Sequence, residues 1–275
     1  MNKTIKIVLL GTLGFVLLMV MVVVISLHTF TTFTFFDIES KNKIIYDKTF
    51  KAKEIYDLNV DTIGSDVKII NTDGEDIKVV IYGKKKEKLN VSKNDKTLEI
   101  NKRRNEFCIG FCFYKEDKIE IYMPIEYIKN TDIKTTSGDI KIGNYKNTNF
   151  NIKSTNGDIK IGTVKNLTVK GTSSDINIVS ASNTKINTIS GDVKAKSLTN
   201  YLKIKTTSGD IEISNAKIIK NSSINSISGE IDIESINDIY IDAKTTSGDL
   251  RIFKNNKKSN QTLNIKTTSG DINVN

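Results

Sequence analysis

The chain has 275 residues, a net charge of +9 and an apolar fraction of 38%, with no Trp and a single Pro, Pro124. That length fits one or two ordinary domains, and the scarcity of Pro argues against a linker-rich, disordered chain. With His28 as its sole His and only two Cys, the chain offers no Ser/His/Asp or Cys/His set and no second Cys pair for a zinc site.

Residues 1–6 form a short tip carrying Lys3 and Lys6, and Ile7 to Leu27 then run 21 positions without a charge. About 20 apolar residues suffice for a helix to cross the hydrocarbon core. No A-x-A cleavage pattern follows, so an uncleaved transmembrane anchor over 7–27 is expected rather than a removed signal. The two lysines favour a cytoplasmic N-terminus. The expected localisation is therefore the cell membrane, single-pass, with 28–43 as a juxtamembrane linker and the bulk of the chain extracytoplasmic.

Residues 44–129 read as an N-terminal β region. Leu58, Val60, Val67 and Ile69 flank Ser65-Asp66 as a first strand–turn–strand coil. Alternating runs follow at Ile77–Tyr82, Thr97–Ile100 and Lys118–Tyr122, separated by turn signals at Thr72-Asp73-Gly74, Gly83 and Asn94-Asp95. They are read as hairpins inserted after the first coil, capping the N-terminal edge of what comes next. Cys108 and Cys112, in Cys-Ile-Gly-Phe-Cys, allow either a local disulfide in an oxidising exterior or two free thiols. The clusters Lys84-Lys85-Lys86 and Lys102-Arg103-Arg104 read as a solvated basic surface, or as contacts for anionic cell-wall polymers or lipid head groups. They have no zinc-finger spacing and no recognition-helix pattern, so nucleic acid is not an expected partner.

The main signal lies in residues 130–275, where Thr-Thr-Ser-Gly-Asp recurs with variations. The central residues are Gly138, Gly157, Ser174, Gly191, Gly209, Gly229, Gly248 and Gly270, at intervals of 17 to 22 residues. A fixed period near twenty means one supersecondary unit stacked on its neighbours. Five residues before, two after and four after the centre, all 24 positions are apolar, from Ile133, Ile140 and Ile142 through to Ile265, Ile272 and Val274. Spacing of two after the turn is strand alternation with one face buried. No helical pattern lies between strands. The expected fold is all-β: a parallel β-solenoid (β-helix) with coils of about 17–22 residues, an N-terminal β-hairpin cap and one preceding transmembrane helix.

A Gly at the centre suits a corner with φ > 0, and the small Thr, Ser or Gly three residues earlier suits a tight inside corner. An acid follows every centre: Asp139, Asp158, Asp175, Asp192, Asp210, Glu230, Asp249 and Asp271. Such acids are read as bonding turn N–H groups, offset by Lys134, Lys153, Lys170, Lys205, Lys244 and Lys266. The alternative is a calcium ladder along the same Asp residues, but calcium β-rolls use a shorter, nine-residue Gly-rich repeat. No cofactor is expected. Since the sequence ends on a repeat strand, Asp271 to Asn275, without an evident cap, residues 262–275 are expected to leave an edge open to self-association.

The run Lys118-Ile-Glu-Ile-Tyr-Met-Pro124, followed by repeated Thr-Thr-Ser-Gly-Asp-Ile-Lys-Ile, resembles the bacterial "putative adhesin" family of β-strand-repeat proteins (domain of unknown function 4097), which includes LiaG-like proteins. The resemblance covers roughly residues 44–275 and implies a cell-envelope location, with links to envelope-stress systems in some relatives. It carries over no functional residue. The expected function is a non-enzymatic, membrane-anchored binding or scaffold module. The alternatives are a regulator acting through a membrane protein partner and a polysaccharide-active solenoid enzyme. The uniform acidic row and scattered aromatics (Tyr145, Phe150, Tyr201, Tyr240, Phe253) fit the enzyme poorly.

Overall fold

A computed structural model describes residues 43–83, 88–103, 117–126 and 129–275. The expected anchor over 7–27, Lys84, Lys85, Lys86, Arg104, Cys108 and Cys112 lie outside the described residues. No helix among the described residues is long and apolar enough to cross a membrane. Residues 44–275 form one compact unit.

The chain enters on β1 (Lys43–Lys51) and a 3₁₀ turn (Ala52–Glu54), then makes a first coil from β2 (Asp57–Thr62) and β3 (Ser65–Thr72). The insertion supplies β4 (Asp76–Gly83), β5 (Lys88–Asn94), β6 (Thr97–Arg103) and β7 (Asp117–Pro124). The repeats follow as β8 (Asn130–Ser137), β9 (Ile140–Ile142), β10 (Tyr145–Asn156), β11 (Ile159–Ser173), β12 (Ile176–Asn187), β13 (Val193–Lys205) and β14 (Ile211–Ile218). The last are β15 (Ser222–Asn225), β16 (Ile231–Ile233), β17 (Tyr240–Ser247), β18 (Leu250–Ile252), β19 (Thr262–Ser269) and β20 (Ile272–Val274). The fold is all-β and mostly parallel.

In the middle of the stack, pairing follows the sequence. Ile152 of β10 lies opposite Ile133 and Val169, and Ile159 of β11 lies opposite Ile140 and Ile176. Each apolar position thus meets its counterpart in the next coil, about 4.8 Å away. The Ile and Val columns fuse into one core. Every one of the 24 aligned positions is buried except Ala243, Leu250 and Ile252, which belong to a single coil. Full burial of one such side chain contributes about 1.5–3 kcal/mol.

Both ends depart from simple succession. At the N-terminal end β2 pairs in parallel with β6 on one side and β8 on the other, and β3 lies between β7 and β9. The inserted segment therefore folds back outside the first coil. Strand β5 pairs antiparallel with β6, β4 pairs antiparallel with β7, and β1 pairs with β4.

The other end corrects the sequence reading. Strand β19 lies between β15 and β17, and β20 lies between β16 and β18. Residues 262–275, expected as the free edge, therefore sit inside the stack, and the coil of β17 and β18 is outermost. The physical reason is that the repeats share the same apolar columns, so any coil is an acceptable neighbour for any other. The connection at 253–261 is long enough for the chain to double back.

The centre residues fix the corner. Gly191 has φ +146, and a Cβ there would lie 2.1 Å from the carbonyl oxygen of Ser174 in the adjoining coil. Close backbone approach and positive φ together demand Gly. Ser174 is not among the positive-φ residues, which is why that coil tolerates a side chain.

Candidate functional site

At six corners an acid after the centre holds the adjoining coil. The N–H of Asp158 donates to Asp139 Oδ1 (2.9 Å), that of Asp192 to Asp175 (3.0 Å), that of Asp210 to Asp192 (2.9 Å) and that of Glu230 to Asp210 (2.8 Å). The same link joins Asp139 to Asp66 and Asp249 to Asp271. One oxygen of each acceptor Asp is thus committed to an inter-coil N–H. Among the described residues no three His, Cys, Asp or Glu side chains are grouped to hold a metal ion.

The lysines expected to offset this ladder do not touch it. Its ion pairs come instead from Lys160 to Asp158 (3.6 Å) and Arg251 to Asp249 (3.3 Å). The geometric reason is the corner itself. Lys134 and its counterparts stand five residues before the acids, on the strand that precedes the turn.

That strand face carries the most regular charge on the molecule. Lys153 lies in register with Lys134 and Lys170, so three lysines stand directly above one another. The column continues through Asn187, Lys205, Asn225, Lys266 and Lys244. All six lysines are exposed. Among the described residues only Lys244 has an acidic partner, Asp242 at 4.0 Å. Like charges directly opposite in a sheet are destabilising; Lys134 has Asp61 of β2 beside it in register, whereas Lys153 and Lys170 have only lysine or asparagine on either side.

A second column runs along the strands after the corner: Lys68, Lys141, Lys160, Asn177 and Lys194. It borders a groove of about 560 Å³ at Gly143 and Gly162. Here Lys194 is paired with Glu212 at 2.9 Å, so this column is partly neutralised. The Glu120 cluster marks its N-terminal end. Glu120 accepts hydrogen bonds from Tyr82 (3.2 Å) and Tyr122 (3.1 Å) and pairs with Lys118. Burial alone would push the Glu120 carboxyl upward. The groups bonded to it, Lys118, Tyr122 and Tyr82, outweigh that and hold it below the usual carboxylate range.

Lys102, expected on a basic surface cluster, is only 3% exposed. It pairs with Asp117 at 2.6 Å and donates to Ser65 Oγ at 3.3 Å. In register it replaces the corner Thr62, and Asp117 replaces the centre Ser65. The pair therefore plugs the corner of the outermost N-terminal coil, and no polymer can reach it. Arg103 ends β6 beside it.

Sequence reasoning missed an asparagine ladder. Asn149, Asn166, Asn183 and Asn200 each donate to the Asn of the preceding coil, beginning at Asn130, over 2.6 to 2.9 Å. Asn130 in turn donates to Asp57 at 3.2 Å. The signal was present eight residues before most centres, three positions beyond the aligned block.

A family model described as "Toastrack DUF4097" matches residues 55–275. Among solved structures, the chain is similar to a "putative adhesin" from Bacteroides fragilis NCTC 9343 at 19% identity, covering 86% of this chain and 100% of that one, with TM-score 0.47. A "putative lipid binding protein" from Parabacteroides distasonis ATCC 8503 is similar at 16% identity, over 84% of this chain and 96% of that one, with TM-score 0.47. A "putative cell adhesion protein" from Clostridium sporogenes ATCC 15579 shares 15% identity over 85% of this chain and 99% of that one, with TM-score 0.32. No curated protein matches.

Proposed function

The chain belongs to the Toastrack DUF4097 family, and from that premise we propose that it is a non-enzymatic binding module of the cell envelope. In this reading residues 7–27 anchor it in the membrane, and the parallel β-solenoid stands outside the cytoplasm. Its lysine column, Lys134, Lys153, Lys170, Lys205, Lys266 and Lys244, takes an anionic envelope polymer laid across the coils.

The observation that carries the reading is the run of exposed lysines in register, Lys134, Lys153 and Lys170. Exposed cations in register, such as Lys134, Lys153 and Lys170, repel one another and a polyanion relieves that repulsion, while charges repeated along the stack, interrupted at Asn187 and Asn225, suit a linear chain of negative groups. Such binding is electrostatic and weakens with salt, because exposed charges are screened within about 8 Å at physiological ionic strength. Nothing in this reading requires a reaction.

The test is binding of the purified full-length chain in detergent to isolated anionic cell-wall polymer at low and high salt. Replacing Lys134, Lys153 and Lys170 by Gln is expected to weaken binding by at least about tenfold, or about 1.4 kcal/mol. Replacing Lys84, Lys85 and Lys86 by Gln should have the smaller effect. Equal binding by the column variant, or binding indifferent to salt, would sink the proposal.

A further inference from the structure

The outermost C-terminal coil is built like an interior one, but among the described residues no further coil lies on its outer side. Leu250 is 46% exposed, although its counterparts Ile231 and Ile272 are fully buried. Phe253, just beyond β18, is 73% exposed. Ala243 and Ile252, at inward positions, are only partly covered.

The start of β17 is closed by a loop. The side chain of Asn255 accepts from the N–H of Ile241 (3.0 Å) and donates to its carbonyl (2.8 Å). The N–H of Asn256 donates to the carbonyl of Ile239 at 3.0 Å. This loop covers residues 239–241 and leaves the later part of β17 and all of β18 facing outward. An uncovered strand edge is a template for another strand.

We propose that this face binds a second copy of the same chain, end to end. The argument is charge complementarity written into both edge strands. Strand β18 and its approach read Asp249-Leu250-Arg251, and β17 carries Asp242-Ala243-Lys244: acid, inward apolar residue, base. Antiparallel pairing of two copies about Leu250 sets Asp249 of one against Arg251 of the other, twice. Pairing about Ala243 does the same for Asp242 and Lys244. A two-fold interface needs a self-complementary patch, and opposite charges across an antiparallel pair are favourable where like charges are not. Leu250, Ile252 and Phe253 supply the apolar centre.

Sedimentation velocity of the full-length chain in detergent tests this over a concentration series. A monomer–dimer equilibrium is expected. Leu250→Asp should weaken it at least tenfold, as should Arg251→Asp, which sets acid against acid. The double swap Asp249→Arg with Arg251→Asp restores complementarity and should restore the dimer. Circular dichroism of each variant confirms that the fold is intact. A chain that stays monomeric at every concentration overturns the proposal. Association that survives Leu250→Asp, or that the double swap fails to restore, overturns it too, because it resides elsewhere.

Discussion

The two ends of the stack solve the same problem differently. At both, the chain runs one coil outward and then returns to place another coil beneath it: β2 and β3 lie under β6 and β7, and β19 and β20 lie under β17 and β18. At the N-terminal end the outer coil is then finished by antiparallel strands β4 and β5, with β1 paired to β4, and by the buried Lys102–Asp117 pair. Among the described residues the C-terminal outer coil has only the loop around Asn255. Folding back hides a chain segment but does not close a sheet edge; closure needs strands of opposite direction or a side chain that imitates one.

The sharpest way to break the comparison is at the ion pair. Lys102→Ala or Asp117→Ala breaks a buried ion pair, with an expected loss of up to about 3–5 kcal/mol in chemical denaturation. A loss below about 1 kcal/mol, the range of exposed pairs, would show that this corner is wet. Next comes a matched pair of truncations at one repeat position. Ile272→Ala, in the covered coil, should cost about 2–5 kcal/mol. Leu250→Ala, half exposed in the outer coil, should cost about 1 kcal/mol or less in the monomer, since only the buried fraction of the side chain is lost. Equal losses would mean that the outer coil is covered in solution.

The smallest effect concerns acid. The folded Glu120 carboxyl titrates below its unfolded value, so its contribution is fully present above the ordinary carboxylate range and is lost as pH falls through the folded value. Glu120→Gln should therefore flatten the stability–pH profile only on the acid side, leaving the neutral-pH slope unchanged. Burial and the three bonded partners act in opposite directions on this carboxyl, so the expected change is the smallest of the three.

Much of this fold was legible in the sequence, because period-2 alternation and a repeated corner report directly on burial. The first coil around Ser65-Asp66 and three of the four strands of the insertion were visible for the same reason; β5 (Lys88–Asn94) was not. Coil order at the ends was not, since neighbouring repeats present identical columns and the pattern does not say which of them touch. Connection length held the clue: the longest interval in the array, 22 residues between Gly248 and Gly270, is the one that doubles back. Lys102 misled because a lysine beside two arginines reads as surface until its register with Thr62 is known. Lys134 and its counterparts were visible as residues, but their place on the strand before the corner, away from the acids, is a property of the turn.

The folded-back ends also set an order of assembly. In the regular middle, partners such as Asn166 and Asn183 are 17 residues apart, whereas β15 reaches across 41 residues to the β19 region and β2 reaches across 73 to β8. Bringing distant segments together costs more chain entropy and slows the approach to the native state. The coils from β10 to β13 are therefore the natural nucleus. The first and last coils join only after the segments that must lie outside them have been made, so the ends close late and amide exchange there should report the lowest protection.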